Sequence, residues 1–178
     1  GLYGAILIVM NPFSRKIGME VLSSKQPGVV ASAYRTILNR MPKPQVLSTD
    51  QGQEFQGPFN ALLEQKGIAH RLKDPRRKDF LAALDRAIQK MKLILFKQMS
   101  RRNSTKWDGI VQEAQDGYNE TINSELHGSP DDLEGNSEAS KVAKYQQMKQ
   151  QAANFEHNQE MAEKKANAVR DAGQFRVQ

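Results

Sequence analysis

The sequence predicts an α/β domain followed by a long helical extension, and three observations lead to that prediction. Residues 3–10 form a continuous apolar run, which is typical of a strand buried on both faces. Between residues 15 and 121, strand-like segments alternate with segments whose apolar residues recur at helical spacing. The chain then becomes polar and rich in Gln, Ala, Lys and Glu. We therefore expect a domain over residues 1–133 and a polar helical extension over residues 134–178.

The elements of the domain have recognisable start and stop signals. The first two strands should form a hairpin, because Asn11-Pro12 interrupts the apolar run and residues 15–22 resemble a second strand. Thr105 is expected to cap the last helix of the domain, which Trp107 should fix in the core. The other predicted elements are, in chain order, helix 26–40, strand 45–48, helix 57–67, strand 68–72 and helix 80–99.

The extension is predicted to be one helix over residues 137–170 with a thin apolar stripe. The stripe consists of Tyr145, Met148, Ala152, Phe155, Gln159 and Ala162, which follow one another at helical spacing. Two interpretations stay open for this helix. It either docks on a partner or links two modules.

The composition excludes several kinds of protein and site. The 178 residues include no Cys, so disulfides, thiolate zinc sites and Cys-nucleophile chemistry are excluded, and three scattered His do not suggest a metal cluster. No apolar run approaches the roughly 20 residues of a membrane-spanning helix, so we expect no membrane partner. Lys and Arg exceed Asp and Glu by 26 to 20, a net charge of +6 that suits a polyanionic partner.

Positive charge is concentrated between residues 71 and 102. This stretch holds eleven Lys and Arg residues against three Asp, so its net charge of +8 exceeds that of the whole chain. Because few aromatic side chains lie among these charges, binding of DNA or RNA should rely on phosphate contacts and tolerate sequence. A solvated helix face is the alternative interpretation. The predicted nucleic-acid-binding residues are Arg76, Arg77, Lys78, Arg86, Lys90 and Lys97.

Five motifs, in order, resemble those of retroviral and retrotransposon integrase catalytic cores. Residues 6–17, ILIVMNPFSRKI, resemble a strand that ends in Asp-x-Phe-Ser-Arg, with Asn11 in place of the Asp. Residues 42–55, PKPQVLSTDQGQEF, resemble the strand and the Thr-Asp-x-Gly-x-Glu-Phe motif. The helix and strand after it, the helix at 84–92 and the segment 107–133 complete a resemblance that covers about residues 3–133.

The resemblance implies an RNase H-like mixed sheet flanked by helices, with an active site of three carboxylates. In such cores the carboxylates hold two Mg²⁺ or Mn²⁺ ions for strand transfer into DNA. Asp50 stands at the second carboxylate position, and Asp85, 35 residues later, stands at the third, where the family has Glu. These two residues are the candidate catalytic and metal-binding residues. The strand with the first carboxylate would lie upstream of Gly1.

A missing first strand would have a structural consequence. That strand is central in an RNase H-like sheet, so residues 5–10 and 45–48 would each expose an unpaired edge. We expect upstream residues to fill the gap, in preference to a rearranged segment 175–177 or a strand from a partner protein. Oligomer formation is compatible with this interpretation.

The sequence thus favours an integrase-type nucleic-acid-binding domain from a retrotransposon or its domesticated descendant, inactive as this fragment. The alternative is a non-catalytic structural or interaction module of a larger assembly. The protein would be intracellular, and nuclear if it acts as an integrase.

Overall fold

Contacts divide the chain into two compact units, residues 1–121 and residues 122–178. The structure, a computed structural model, describes residues 4–73, 79–123 and 126–174, with side chains over 4–73, 82–123 and 126–168. The domain boundary expected after residue 133 lies within the second unit and stays a prediction. Among the described helices, none is both long and apolar enough to cross a membrane.

The first unit alternates strands and helices, as predicted, and the second unit is helical. The elements are β1 (Ala5–Met10), β2 (Ile17–Leu22), α1 (Pro27–Leu38), β3 (Val46–Thr49), α2 (Pro58–Lys66), β4 (Ala69–Leu72), α3 (Asp79–Arg101), α4 (Val111–Glu120), α5 (Pro130–Glu134) and α6 (Glu138–Gln174). Short 3₁₀ helices lie at Gln53–Phe55 and Asp108–Ile110.

The predicted hairpin is present as the antiparallel pair β1–β2, in which Met10 lies opposite Ile17. Asn11 closes its turn in two ways. The Asn11 N–H donates to the Lys16 carbonyl at 2.9 Å, and the Asn11 side-chain oxygen accepts the Phe13 N–H at 2.9 Å. The side chain of Asn11 therefore forms an Asx turn.

The hairpin is covered on both of its faces, as the apolar run of β1 predicts. Alternate side chains of a strand point to opposite faces, so Ile6 and Ile8 pack on one side and Leu7 and Val9 on the other. The first core joins β2 to α3 and α4 and contains Ile17, Met19, Ala87, Met91, Leu95, Ile110, Val111, Ala114 and Tyr118. The second core joins it to α1 and α2 and contains Leu22, Val30, Ala31, Ala33, Tyr34, Phe59, Leu62, Leu63 and Ile68.

On the outer edge of β2, the backbone N–H and carbonyl groups form hydrogen bonds with side chains and not with another described strand. The carboxamide of Asn119 accepts the Ile17 N–H at 3.0 Å and donates to the Ile17 carbonyl at 2.9 Å. Gln115, one turn earlier on α4, accepts the Met19 N–H at 2.6 Å, and the Arg40 guanidinium donates to the Met19 carbonyl at 3.0 Å. These contacts replace a strand partner, because buried backbone groups left unpaired are costly.

The opposite edge of β1 is open. Hydrogen-bonded and non-hydrogen-bonded residue pairs alternate along an antiparallel pair of strands, and Asn11 is hydrogen-bonded to Lys16. The backbone groups of Leu7 and Val9 therefore bond to β2, and those of Ile8 and Met10 point away from it. Within the described residues, β1 pairs only with β2, and β3 pairs only with β4 in a parallel pair. The strands of the described ranges therefore form two separate two-stranded sheets.

The start of α4 corrects one sequence-based prediction. Thr105 does not cap this helix, because the 3₁₀ helix at Asp108–Ile110 comes first and α4 begins at Val111. The Ser104 hydroxyl accepts the Lys106 N–H at 3.0 Å. This local turn next to Thr105 takes the place of the expected helical start.

In the second unit, α5 packs against the first turns of α6. A capping box starts α5: the Ser129 hydroxyl accepts the Asp132 N–H at 3.1 Å, and the Asp132 carboxylate accepts the Ser129 N–H at 2.9 Å. Hydrogen bonds from the backbone and side chain of Ser129 lower the pKa of the Asp132 carboxyl. The cap is thus strongest when Asp132 is ionised and weakens as the pH falls through that lowered pKa.

The open edge of β1 predicts an alternating pattern of hydrogen exchange along this strand. The amides of Leu7 and Val9 donate to β2 and should exchange on the order of 100-fold more slowly than those of Ile8 and Met10. Residue-resolved exchange by NMR on residues 1–178 measures this. Equal protection along the strand would show that the second edge is paired.

Candidate functional site

A cleft separates the open edges of β1 and β3. It has a volume of about 440 Å³ and is lined by residues 7–10 of β1 and 46–49 of β3. The carbonyls of Gln45 and Thr49 accept hydrogen bonds from the β4 side, so the backbone groups of Val46 and Ser48 turn away from β4. Both strands therefore direct backbone hydrogen-bonding groups into this space, which we call the strand cleft.

Tyr34 of α1 lies in the wall of the strand cleft with its hydroxyl buried. Its side chain is 1% exposed, and the hydroxyl has no hydrogen-bond partner among the described residues. Burial raises the pKa of Tyr34 to about 12. A buried polar group without a partner costs about 1–3 kcal/mol, so this hydroxyl is a local source of instability in the second core.

Asp50 directly follows β3 and borders two cavities. Its side-chain Oδ1 accepts the Gly52 N–H at 3.3 Å, which is the turn that an Asp-x-Gly sequence predicts. The exposed side chain lines the strand cleft and also a second cavity of about 680 Å³. The turn thus holds a carboxylate at the mouth of both spaces.

A hydrogen-bond chain fixes the backbone that carries Asp50. The Thr49 hydroxyl donates to the Asp50 carbonyl at 2.8 Å, and the same hydroxyl lies 2.8 Å from Nε2 of His70 on β4. Nδ1 of His70 lies 2.6 Å from the Asn60 side-chain oxygen on α2. His70 is therefore a packed residue that braces the end of β3, which is the interpretation that a lone His on a short strand favours.

Glu54 and Lys92 share the second cavity with Asp50. The Glu54 carboxylate lies close to the backbone of Gly52, in the space that a Cβ there would occupy. A side chain at position 52 would therefore move the flexible end of Glu54 out of its present position. Lys92 of α3 brings a cation to the same cavity as the two carboxylates.

Asp85 lies on α3, and its side chain is exposed. Its neighbour Leu84 lines the strand cleft, while Ile88 and Lys92, one and two turns later, line the second cavity with Asp50. The first turns of α3 thus border the same spaces as Asp50. A metal site shared by Asp50 and Asp85 stays a prediction, and within the described part of the chain no three acidic or His side chains form a group that could hold a metal ion.

The predicted nucleic-acid-binding residues fall into two sets. Arg76, Arg77 and Lys78 lie outside the described residues. Arg86, Lys90 and Lys97 are exposed on α3, and the Lys90 ammonium lies 5.1 Å from the centre of the Tyr118 ring. Such a stacked lysine keeps its charge at the surface, so these residues suit either a phosphate-binding face or a solvated one.

Sequence reasoning missed the side chains that cap β2 and the buried Tyr34 hydroxyl. Gln115 and Asn119 are four residues apart on the apolar side of α4, together with Val111 and Tyr118. Two amides at core positions are the signal that marks hydrogen bonding to a buried backbone. Tyr34 gave no signal, because a tyrosine in an apolar stripe is typical of any amphipathic helix.

Comparisons with solved structures show that the chain has the RNase H-like fold of retroviral integrase catalytic cores. The catalytic core of BIV integrase superposes with a TM-score of 0.62 and 17% identity over 72% of this chain and 83% of that one. The core of HTLV-2 integrase, solved with magnesium, gives a TM-score of 0.59 and 15% identity over 71% of this chain and 90% of that one. The predicted fold class is thereby confirmed.

Two longer proteins are also similar. A chain of the simian T-cell lymphotropic virus intasome, solved with the PP2A regulatory subunit B56 gamma, gives a TM-score of 0.68 and 15% identity over 75% of this chain and 49% of that one. A transposon-derived protein of Caenorhabditis elegans is 25% identical over 130 residues, 72% of this chain and 45% of its own length. The chain therefore spans less than half of this relative. No protein-family model matches the chain.

The buried Tyr34 hydroxyl without a described partner predicts that Tyr34→Phe stabilises residues 1–178 by about 1 kcal/mol, because it removes a desolvated polar group and keeps the ring. Urea unfolding measures this change. Thr105→Val is the matched control, since it removes a hydroxyl at an exposed position outside the helices and should shift the free energy of unfolding by less than about 0.5 kcal/mol. Destabilisation by Tyr34→Phe would show that the hydroxyl has a partner in solution.

Proposed function

We propose that this chain is an integrase-type nucleic-acid-binding domain of a retroelement or of its domesticated descendant. The observation that carries the proposal is the position of Asp50, directly after β3 and at the mouth of the strand cleft, in a fold shared with integrase cores. The transposon-derived relative supports the same origin. Because the chain covers 45% of that relative, the activity of the whole protein is part of the proposal.

The described carboxylates do not, by themselves, fit a pair of divalent ions. Hard cations take six or more oxygen ligands, and the described residues include no group of three acidic or His side chains that could hold a metal ion. Asp50 and Asp85 would provide two of the three carboxylates expected from the resemblance, and the HTLV-2 core was solved with magnesium. We therefore propose that the chain as given is inactive in strand transfer and binds Mg²⁺ or Mn²⁺ weakly.

An extended segment in the strand cleft would complete both the sheet and the carboxylate set. We infer that this segment lies upstream of Gly1 in a longer polypeptide. Two observations support it: the open edges of β1 and β3 border one cleft, and the relative is more than twice as long as its matched part. Alternate apolar side chains of such a strand would join the two cores.

The proposed nucleic-acid surface comprises the basic stretch with Arg76, Arg77 and Lys78 and the exposed cations of α3. The net charge of +8 between residues 71 and 102 supports it. Phosphate contacts by Lys and Arg position a protein on a duplex without reading sequence. Lys92 lines the same cavity as Asp50, so a nucleic-acid strand that also contacts Lys92 would pass close to Asp50.

A non-catalytic interaction module is the second candidate function. The observation that favours it is the exposure of large apolar side chains along α6, including Tyr145, Met148 and Phe155. Among the similar structures, the simian intasome was solved with a phosphatase regulatory subunit, and the HTLV-2 core in trimeric and dimeric forms. A protein partner or an oligomer is therefore plausible for this chain.

Duplex DNA should bind residues 1–178 with weak, sequence-independent and salt-dependent affinity. We expect log K to fall by roughly 0.9 per neutralised phosphate for each unit of log salt. Charge reversal of Arg76, Arg77 and Lys78 to Glu should abolish binding, because it replaces three phosphate contacts by repulsion. Fluorescence anisotropy with two unrelated duplexes at several salt concentrations measures both effects.

The matched control reverses three exposed cations elsewhere, Arg35, Lys66 and Lys106, to Glu. It changes the net charge equally and should reduce the affinity much less than the first triple variant. An equal loss of DNA affinity in the two triple variants would show that the effect comes from the net charge and not from a particular surface. Full affinity in the first variant would leave the interaction-module function as the better account.

Mn²⁺ binding tests whether Asp50 and Asp85 share an ion. Asp85→Glu lengthens the side chain by one methylene toward the family's residue and should tighten weak Mn²⁺ binding roughly 3- to 10-fold, while Asp50→Asn should abolish it. Mn²⁺-induced broadening of amide signals measures both. Asp108→Glu, at an exposed position on another element, is the control and should change nothing. Broadening that survives Asp50→Asn would refute the site.

A further inference from the structure

The distal part of α6 is an exposed helix without a described neighbour. All side chains over residues 148–168 are exposed, whereas the start of α6 packs through Ser140, Ala143 and Gln147, which are buried. Helical stability in proteins comes mostly from the packing of an apolar face. A surface that covers the apolar side chains of this exposed stretch would therefore stabilise the helix.

Residues at heptad spacing along α6 form a stripe that is apolar except at Gln159. Successive steps of three and four residues connect Tyr145, Met148, Ala152, Phe155, Gln159, Ala162 and Ala166. Alternating steps of three and four are the a and d positions of a coiled coil, so we call these residues the α6 seam. Tyr145, Met148 and Phe155 are 63%, 61% and 63% exposed. The seam is thus continuous and uncovered.

The α6 seam is distinct from the face that packs within the second unit. At 3.6 residues per turn, Gln147 lies about 200° around the helix from Tyr145. Ser140 and Ala143 share the side of Gln147. Packing against α5 therefore leaves the seam open to a second helix.

We propose that the α6 seam pairs with that of a second copy of this chain, in an antiparallel coiled coil. The seam has large side chains in its first half and mostly small ones in its second half, so an antiparallel pair matches large with small. Tyr145 would face the partner's Ala162, Met148 the partner's Gln159, and Phe155 the partner's Ala152. A parallel pair would instead stack Tyr on Tyr and Ala on Ala, leaving bulges and voids along one interface.

The flanking charges favour the same orientation. In the antiparallel register, Lys149 lies beside the partner's Glu156, and two-fold symmetry repeats this opposite-charged pair. A parallel pair would instead bring Gln151 and Asn158 next to acidic residues. Lys165 would approach the partner's Lys144, but the Lys144 ammonium donates to its own Gly135 carbonyl at 2.7 Å and is held away.

Sedimentation equilibrium of residues 1–178 tests the pairing. The expected mass is twice the 20.1 kDa of the chain. Phe155→Glu places a charge in the seam and should weaken the dimer at least 100-fold, whereas Asn154→Glu, one position outside the seam and exposed, should leave it intact. A monomeric chain, or a dimer that survives Phe155→Glu, would overturn the proposal; the latter result would assign the dimer to another surface.

Disulfide formation tests the orientation, because the natural chain has no Cys. In the antiparallel register, Tyr145→Cys mixed with Ala162→Cys should give cross-linked heterodimers, and each variant alone should give few cross-links, since equal positions lie roughly 25 Å apart along the axis. Efficient cross-linking of Tyr145→Cys with itself would show a parallel pair and contradict the proposed register.

Discussion

The amide cap on the outer edge of β2 determines how the rest of the first unit is organised. Asn119 pairs with both backbone groups of Ile17, and Gln115 and Arg40 take those of Met19. A sheet whose outer edge is closed in this way can grow only at its other edge. That edge is β1, and the space beside it is the strand cleft. The cap therefore fixes where a further strand can enter.

The cap also couples the sheet to the helix that bounds the first core. Because α4 is tied to β2 by hydrogen bonds and packs with α3, the position of α3 relative to the hairpin is set by the same contacts. The first turns of α3 then border the cavities that Asp50 lines. The amide cap on β2 is remote from Asp50 and Asp85, but it thereby helps to position α3, which carries Asp85 and borders the cavities near Asp50. The hydrogen bonds that connect Asn60, His70 and Thr49 help to position Asp50 from the side of β4.

The sequence predicted the elements well wherever one pattern controlled the local structure. Three kinds of pattern were each compatible with one local structure only. They are the apolar run of β1, the chain-break signals at Asn11-Pro12 and Gly67, and the helical spacing of apolar residues in α3. Thr105 failed as a cap because a hydroxyl one position earlier formed a turn of its own. The role of Asn119 could not be read from spacing, since a polar residue on an apolar face is ambiguous until the facing backbone is known. Asp50 was found from its motif, but its closeness to the first turns of α3 depends on tertiary packing.

We infer that in a longer polypeptide one extended segment lies between β1 and β3, where it would complete the sheet and the carboxylate set near Asp50. The most direct measurement is a ¹⁵N-edited NOESY spectrum of a longer polypeptide that includes the residues preceding Gly1. Strands lie about 4.8 Å apart in a sheet, so the amides of Ile8 and Ser48 should both show cross-strand contacts to the same upstream segment. Direct contacts between β1 and β3, without an intervening segment, would contradict the account.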